Sequence, residues 1–98
     1  MQKHDPILRS FGQSVAKHRR TKGLSQEALA EKADIDRTYL SDIERGVRNP
    51  GIRNVILIAK ALDITAADLL ERIGPPKYEV PPGDSHLIAP VFPSSANI

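Results

Sequence analysis

Between Leu24 and Pro50 the chain reads LSQEALAEKADIDRTYLSDIERGVRNP, two short helical patterns separated only by Asp34, Ile35 and Asp36. So brief an acidic turn leaves no spare chain to carry the second helix away from the first, so the two must pack against each other. Ala28, Leu29 and Ala33 share one face of the first pattern, and Leu40 and Ile43 share one face of the second. Both faces therefore need a common core, and the two alanines allow close approach. Ser25 is placed to cap the first helix and Asp36 the second, which is expected from Arg37 to Arg45 with Gly46 as its stop.

The flanking sequence supplies that core. Asp5 followed by Pro6 predicts a helix start, because proline has no N–H to leave unpaired there and its φ is already helical. This first helix should run to about Lys22, bury a stripe of Ile7, Leu8, Phe11 and Val15, and stop at Gly23. After Pro50 and Gly51, the residues Ile52, Val55, Ile56, Ile58, Ala59 and Leu62 are apolar nearly all round and predict a central, well-buried helix. Thr65 and Asp68 have capping-box spacing and open a fifth helix through Leu69, Leu70 and Ile73 to Gly74. The expectation is an all-α fold of five helices in one domain, residues 6–74; 98 residues with 40% hydrophobic content suffice for one modest core. Residues 75–98 hold most of the eight prolines among Gly, Ser and Asn, and read as an extended or disordered tail. Its apolar pieces Leu87, Ile88, Val91 and Phe92 leave room for a docked segment or a protein partner.

Several function classes drop out on composition. There is no cysteine, hence no disulfide or thiolate metal site. Neither a long apolar run nor a basic-then-apolar leader occurs, so no membrane span or signal peptide is expected and the compartment is most simply the cytoplasm. His4, His18 and His86 lie too far apart for metal-ligand spacing, and no nucleophile elbow or phosphate-cradling glycine loop points to an enzyme or a cofactor. Basic residues outnumber acidic ones up to Arg53, whereas the reverse holds beyond it. That asymmetry fits a phosphate-facing front half, and it equally fits ordinary scatter of surface charge.

A helix that reads DNA needs polar groups projecting from its first turns and apolar groups behind them. Arg37, Thr38, Ser41 and Asp42 meet the first demand, so they are the candidates for base contact. Arg37 can donate a bidentate pair to guanine, Thr38 can touch a thymine methyl or a phosphate, and Asp42 can accept from cytosine N4 or hold Arg37 or Arg45 in place. Gln26, Tyr39, Arg45, Arg48, Asn49 and Arg53 are the candidates for the sugar-phosphate backbone. Gln26 would act together with the polarised N–H groups opening its helix. Tyr39 has two readings, a ring along the backbone with its hydroxyl on a phosphate, or a ring packed under the preceding helix.

The runs SQEALAEKA, DRTYLSDIERGVRNP and LIAKALDI resemble the lambda-repressor-like helix-turn-helix family of phage and bacterial regulators, over about Ile7 to Ile73. DRTYLSDIERGVRNP is especially similar to the controller proteins of restriction-modification systems, which bind operators as dimers and time expression of the endonuclease. The resemblance implies a phosphate contact at Gln26, a recognition helix opening on Arg37, Thr38 and Tyr39, flanking contacts at Arg45, Arg48 and Asn49, and an ion pair of Arg19 with Glu44 tying the first helix to the third. Three positions depart from the family pattern: Asp34 and Asp63 stand where glycine is usual, and His18 where an apolar residue is usual. Asp34 can still adopt the left-handed conformation, and His18 reads as a half-buried packing residue.

One copy covers few base pairs, so double-stranded DNA is expected to be bound by a homodimer with half-sites about 34 Å apart. Ile64, Leu69, Leu70 and Ile73 are the candidates for that dimer contact, the alternative being that they only complete the core of one copy. The rival function on the same fold is an antitoxin or a protein-interaction adaptor.

Overall fold

Every helix but the fourth, which opens on Gly51, begins where a side chain satisfies backbone N–H groups that the helix itself leaves unpaired. The structure, a computed structural model, describes residues 5–71 and 73, which form α1 (Pro6–Thr21), α2 (Gln26–Ala33), α3 (Arg37–Glu44), α4 (Ile52–Ala61) and α5 (Ala66–Leu70), with no strand among them. The tail from residue 74 onward, with its expected docking segment, lies outside the described residues. Asp5 accepts from the N–H of Ile7 and Leu8, Ser25 from Ala28, and Asp36 from Thr38 and Tyr39. Thr65 and Asp68 form a complete capping box. A cap of this kind stabilises a helix by about 1 kcal/mol.

The turns between helices need left-handed backbone, which Gly23 and Gly46 supply after α1 and α3 and two aspartates supply after α2 and α4. Asp34 sits at φ 60° and Asp63 at φ 59°. Beside them the N–H of Ile35 reaches the carbonyl of Ala30 at 2.9 Å and that of Ile64 reaches Ala59 at 3.0 Å, closing both helix ends in the manner usual for glycine. The α2–α3 turn survives without glycine at a cost of about 1–2 kcal/mol.

Phe11, Val15, Leu29, Leu40, Ile43, Ile58, Leu62 and Leu69 form one core drawn from all five helices. At its tightest crossing, a Cβ on Gly12 would lie only 2.3 Å from the carbonyl oxygen of Ile43, so a glycine is required in the middle of α1. The backbones of α1 and α3 are therefore in direct contact. At the other end of the fold, the Ser14 hydroxyl donates to the Leu69 carbonyl at 2.7 Å and ties α5 to α1.

Four expectations need correction. Ile7 is about half exposed, because the first turn of α1 stands at the rim of the bundle. In α4, Val55, Ile58, Ala59 and Leu62 are buried but Ile52 is 72% and Ile56 47% exposed, so this helix packs on one side only. Its continuous apolar sequence covers the core with one face and leaves the other to solvent. α5 ends at Leu70, three residues before Ile73, with Glu71 as its C-cap. Ala28 is only half-buried, and Ala30 takes the inward place beside Leu29 and Ala33.

Candidate nucleic-acid interface

Leu40 and Ile43 have no solvent exposure, which locks one face of α3 against the core and fixes what the other face can present. Outward stand Arg37 and Thr38, exposed, with Ser41 and Asp42 half-exposed in the next turn. Arg45, Arg48, Asn49 and Arg53 are exposed along the end of α3, the following loop and the start of α4. Direct contacts join Arg37 to Gln26 at the α2 N-terminus, and Asp42, Arg45, Arg48 and Tyr39 to one another.

Two charged networks hold this surface. In the inner one, Arg19 Nε and Nη2 donate to Glu44 Oε2 and Oε1 at 2.7 and 3.1 Å, and Nη1 donates to the Leu24 carbonyl at 2.9 Å. The two side chains are only 12% and 6% exposed. Gln26 Nε2 adds a bond to Glu44 Oε1 at 2.9 Å, and its Oε1 faces Arg37 Nη1 at 3.5 Å. The expected tie between α1 and α3 is present, and it extends through Gln26 to the first residue of α3. One amide hydrogen of Gln26 is used in this network, and the other is not.

The outer network lies on the solvent side. Asp42 Oδ1 accepts from Arg45 Nη2 at 2.6 Å, and Oδ2 faces Arg48 Nη2 at 3.5 Å. Of the two partners considered for Asp42, Arg45 is engaged and Arg37 is not; Arg37 turns to Gln26 instead. The Arg48 guanidinium also lies 5.2 Å from the centre of the Tyr39 ring, a cation–π distance. Tyr39 packs its ring partly against the core, and its hydroxyl accepts from Asn54 Nδ2 at 2.9 Å. Because that hydroxyl accepts, its own hydrogen stays free for an outside acceptor, so half-burial and a backbone contact are compatible in Tyr39.

The residues expected to join two copies separate into different environments. Leu69 is fully buried in its own core and has no surface to offer, which corrects its place in that set. Ile64 and Ile73 are partly buried against the same core, and Leu70 alone is 42% exposed. Sequence reasoning missed Ile52 and Ile56, one helical turn apart on the open side of α4. It also missed Asn54 and Gly12. A glycine in a helix interior costs about 1 kcal/mol against alanine, so Gly12 was a visible sign of close approach; nothing in the sequence marked Asn54.

His18 is half-buried with Nδ1 2.9 Å from the Ser14 carbonyl, as a packing residue would be. Among the described residues no cluster of three His, Cys, Asp or Glu could hold a metal, and no helix is long and apolar enough to cross a membrane.

The helix-turn-helix family profile matches residues 15–69, from the middle of α1 into α5. The chain belongs to the helix-turn-helix family. It is 50% identical to the control protein C.BamHI of Bacillus amyloliquefaciens over 62 residues, which cover 62% of this chain and 76% of that protein. Among solved structures, the restriction-modification controller protein C.AhdI of Aeromonas hydrophila is similar at 45% identity and a TM-score of 0.63, covering 63% of this chain and 94% of that one. C.Esp1396I, solved as a tetramer on its natural 35-base-pair operator, shares 38% identity at a TM-score of 0.65, covering 69% of this chain and 90% of that one. The five-helix fold and the family expected from the sequence both hold.

Proposed function

We propose that this helix-turn-helix protein is a sequence-specific transcriptional regulator of the restriction-modification controller type, acting as a homodimer on a two-fold DNA operator. One observation carries the reading: α3 is clamped by Leu40 and Ile43 while Arg37, Thr38 and Ser41 face outward on a rigid body. Rigid presentation lets a few side chains reach base edges without ordering the backbone on binding. Arg37 reads a guanine, Thr38 a thymine methyl, and Ser41 a neighbouring edge. Gln26, the free Tyr39 O–H, Arg45, Arg48, Asn49 and Arg53 grip the flanking phosphates. That C.Esp1396I is a controller protein bound to its operator as a tetramer supports the same assignment for this chain.

The dimer face is drawn from the exposed apolar side chains Ile52 and Ile56 of α4 and Leu70 of α5, since uncovered isoleucines are costly in a monomer. Selection of bound duplexes from a random pool, followed by footprinting upstream of the protein's own coding region, tests the function. A two-fold symmetric site is expected; a pool that never enriches for any sequence would overturn it. Arg37→Ala should lose about 1–3 kcal/mol of discrimination at one base pair of each half-site. Sedimentation of Ile56→Asp and Leu70→Asp checks the second part, a shift from dimer to monomer being the expected outcome.

A further inference from the structure

We propose that Asp42 is a specificity-determining residue that withholds Arg45 and Arg48 from DNA phosphates until a matching base pair takes up its carboxylate. The inference rests on the DNA-binding reading above and adds to it a way of subtracting sequence-independent affinity.

The geometry that carries it is the division of one carboxylate between two arginines. Oδ1 is 2.6 Å from Arg45 and Oδ2 is 3.5 Å from Arg48, and Asp42 is 21% exposed against 63% and 51% for its partners. Arg48 is steadied on a second side by the Tyr39 ring, itself anchored through Asn54. Arg45 and Arg48 are exposed at the end of α3 and in the loop beyond it, whereas Asp42 stands half-exposed one helical turn beyond Thr38. An approaching phosphate therefore competes with Asp42 for the same guanidinium N–H groups.

On an arbitrary sequence there are two outcomes, both unfavourable. Either the arginines stay with Asp42 and contribute little to counterion release, or they move to phosphates and leave a carboxylate unpaired beside a polyanion. A cytosine amino group opposite Asp42 changes the balance, because N4–H₂ donates to the freed carboxylate. Both arginines can then bond phosphates while the carboxylate keeps one donor, which lowers the cost of their release. Base identity at one position is in this way coupled to two backbone contacts.

The test compares binding of the full chain to mixed-sequence duplex and to duplex selected by the wild type, each across a salt series. Asp42→Asn keeps the shape and removes the charge. It is expected to raise mixed-sequence affinity about threefold to tenfold and to steepen its log–log salt slope by about one to two. The selected duplex should gain less, so the ratio between the two falls. In an Arg45→Ala, Arg48→Ala background the same change should no longer raise mixed-sequence affinity, and the cycle isolates the coupling. Equal gains on both duplexes would reduce Asp42 to general repulsion and overturn the proposal. Unchanged affinity and slope, with the wild type still binding, would overturn it while leaving the DNA-binding reading intact. A wild type that binds neither duplex would end both.

Discussion

The two charged networks that flank α3 use the same chemistry, arginine with carboxylate, and differ in what surrounds it. Around Glu44 the Arg19 and Glu44 side chains are nearly dry and closely bonded: Arg19 spans both carboxylate oxygens and a carbonyl, and Gln26 donates to Glu44 as well. Around Asp42 the arginines stand half in water, and one of the two bonds is long. A dry pair resists exchange because removing one partner strands a charge away from solvent. A wet pair exchanges readily, since water or phosphate replaces the lost partner. The inner network can therefore set the tilt of α3, whereas the outer one can respond to DNA.

The largest expected effect comes from breaking the inner network. Glu44→Ala strands Arg19 and should lower stability by about 3–5 kcal/mol in urea denaturation; a loss below about 1 kcal/mol would mean that the pair fixes nothing. Next comes Gly12→Ala, which pushes a methyl into the Ile43 carbonyl at the same α1–α3 crossing. Overpacking of this kind should cost about 1–3 kcal/mol or more, and weaker DNA binding without any change at the interface would show that the crossing sets the tilt of α3. Asp42→Asn is expected to change stability by about 1 kcal/mol or less, which separates its binding effect from folding in one denaturation series.

The smallest effect belongs to Asp68, a carboxylate outside both networks. The Thr65 backbone N–H, then its hydroxyl, hold this carboxyl below its ordinary value of 3.8, with desolvation opposing and the His18 charge a lesser help. A folded value below the unfolded one means that the native state binds fewer protons, so the contribution is present above pH 3.8 and fades as pH falls through the folded value. The stability difference between the wild type and Asp68→Asn should accordingly shrink in that acid window, with no counterpart at neutral pH.

Much of the fold was legible because its signals are local. Asp5, Ser25, Asp36 and Thr65 cap the helices that follow them, and each needs only residues two or three positions away. The outward face of α3 was legible for a related reason: Leu40 and Ile43 at helical spacing fix which side is buried, and Arg37, Thr38, Ser41 and Asp42 follow on the other. α4 was misread because apolar residues all round a helix carry no phase, so the pattern could not tell the buried side from the side bearing Ile52 and Ile56. Leu69 and Leu70 are adjacent and chemically identical, yet one is core and the other is surface.

What the chain alone determined is the order of helices, their starts, the three-residue turn and the candidate residues for DNA, since these depend on spacing and on hydrogen bonds to near neighbours. Tertiary structure decided the pairings. Arg37 could have turned to Asp42 and meets Gln26, Tyr39 could have lain free and meets Asn54 and Arg48, and Asp42 collects two arginines, one of them six residues ahead in the loop beyond α3. Side chains long enough to reach several partners are indifferent in sequence, and only the fixed crossing of α1, α3 and α4 selects among them.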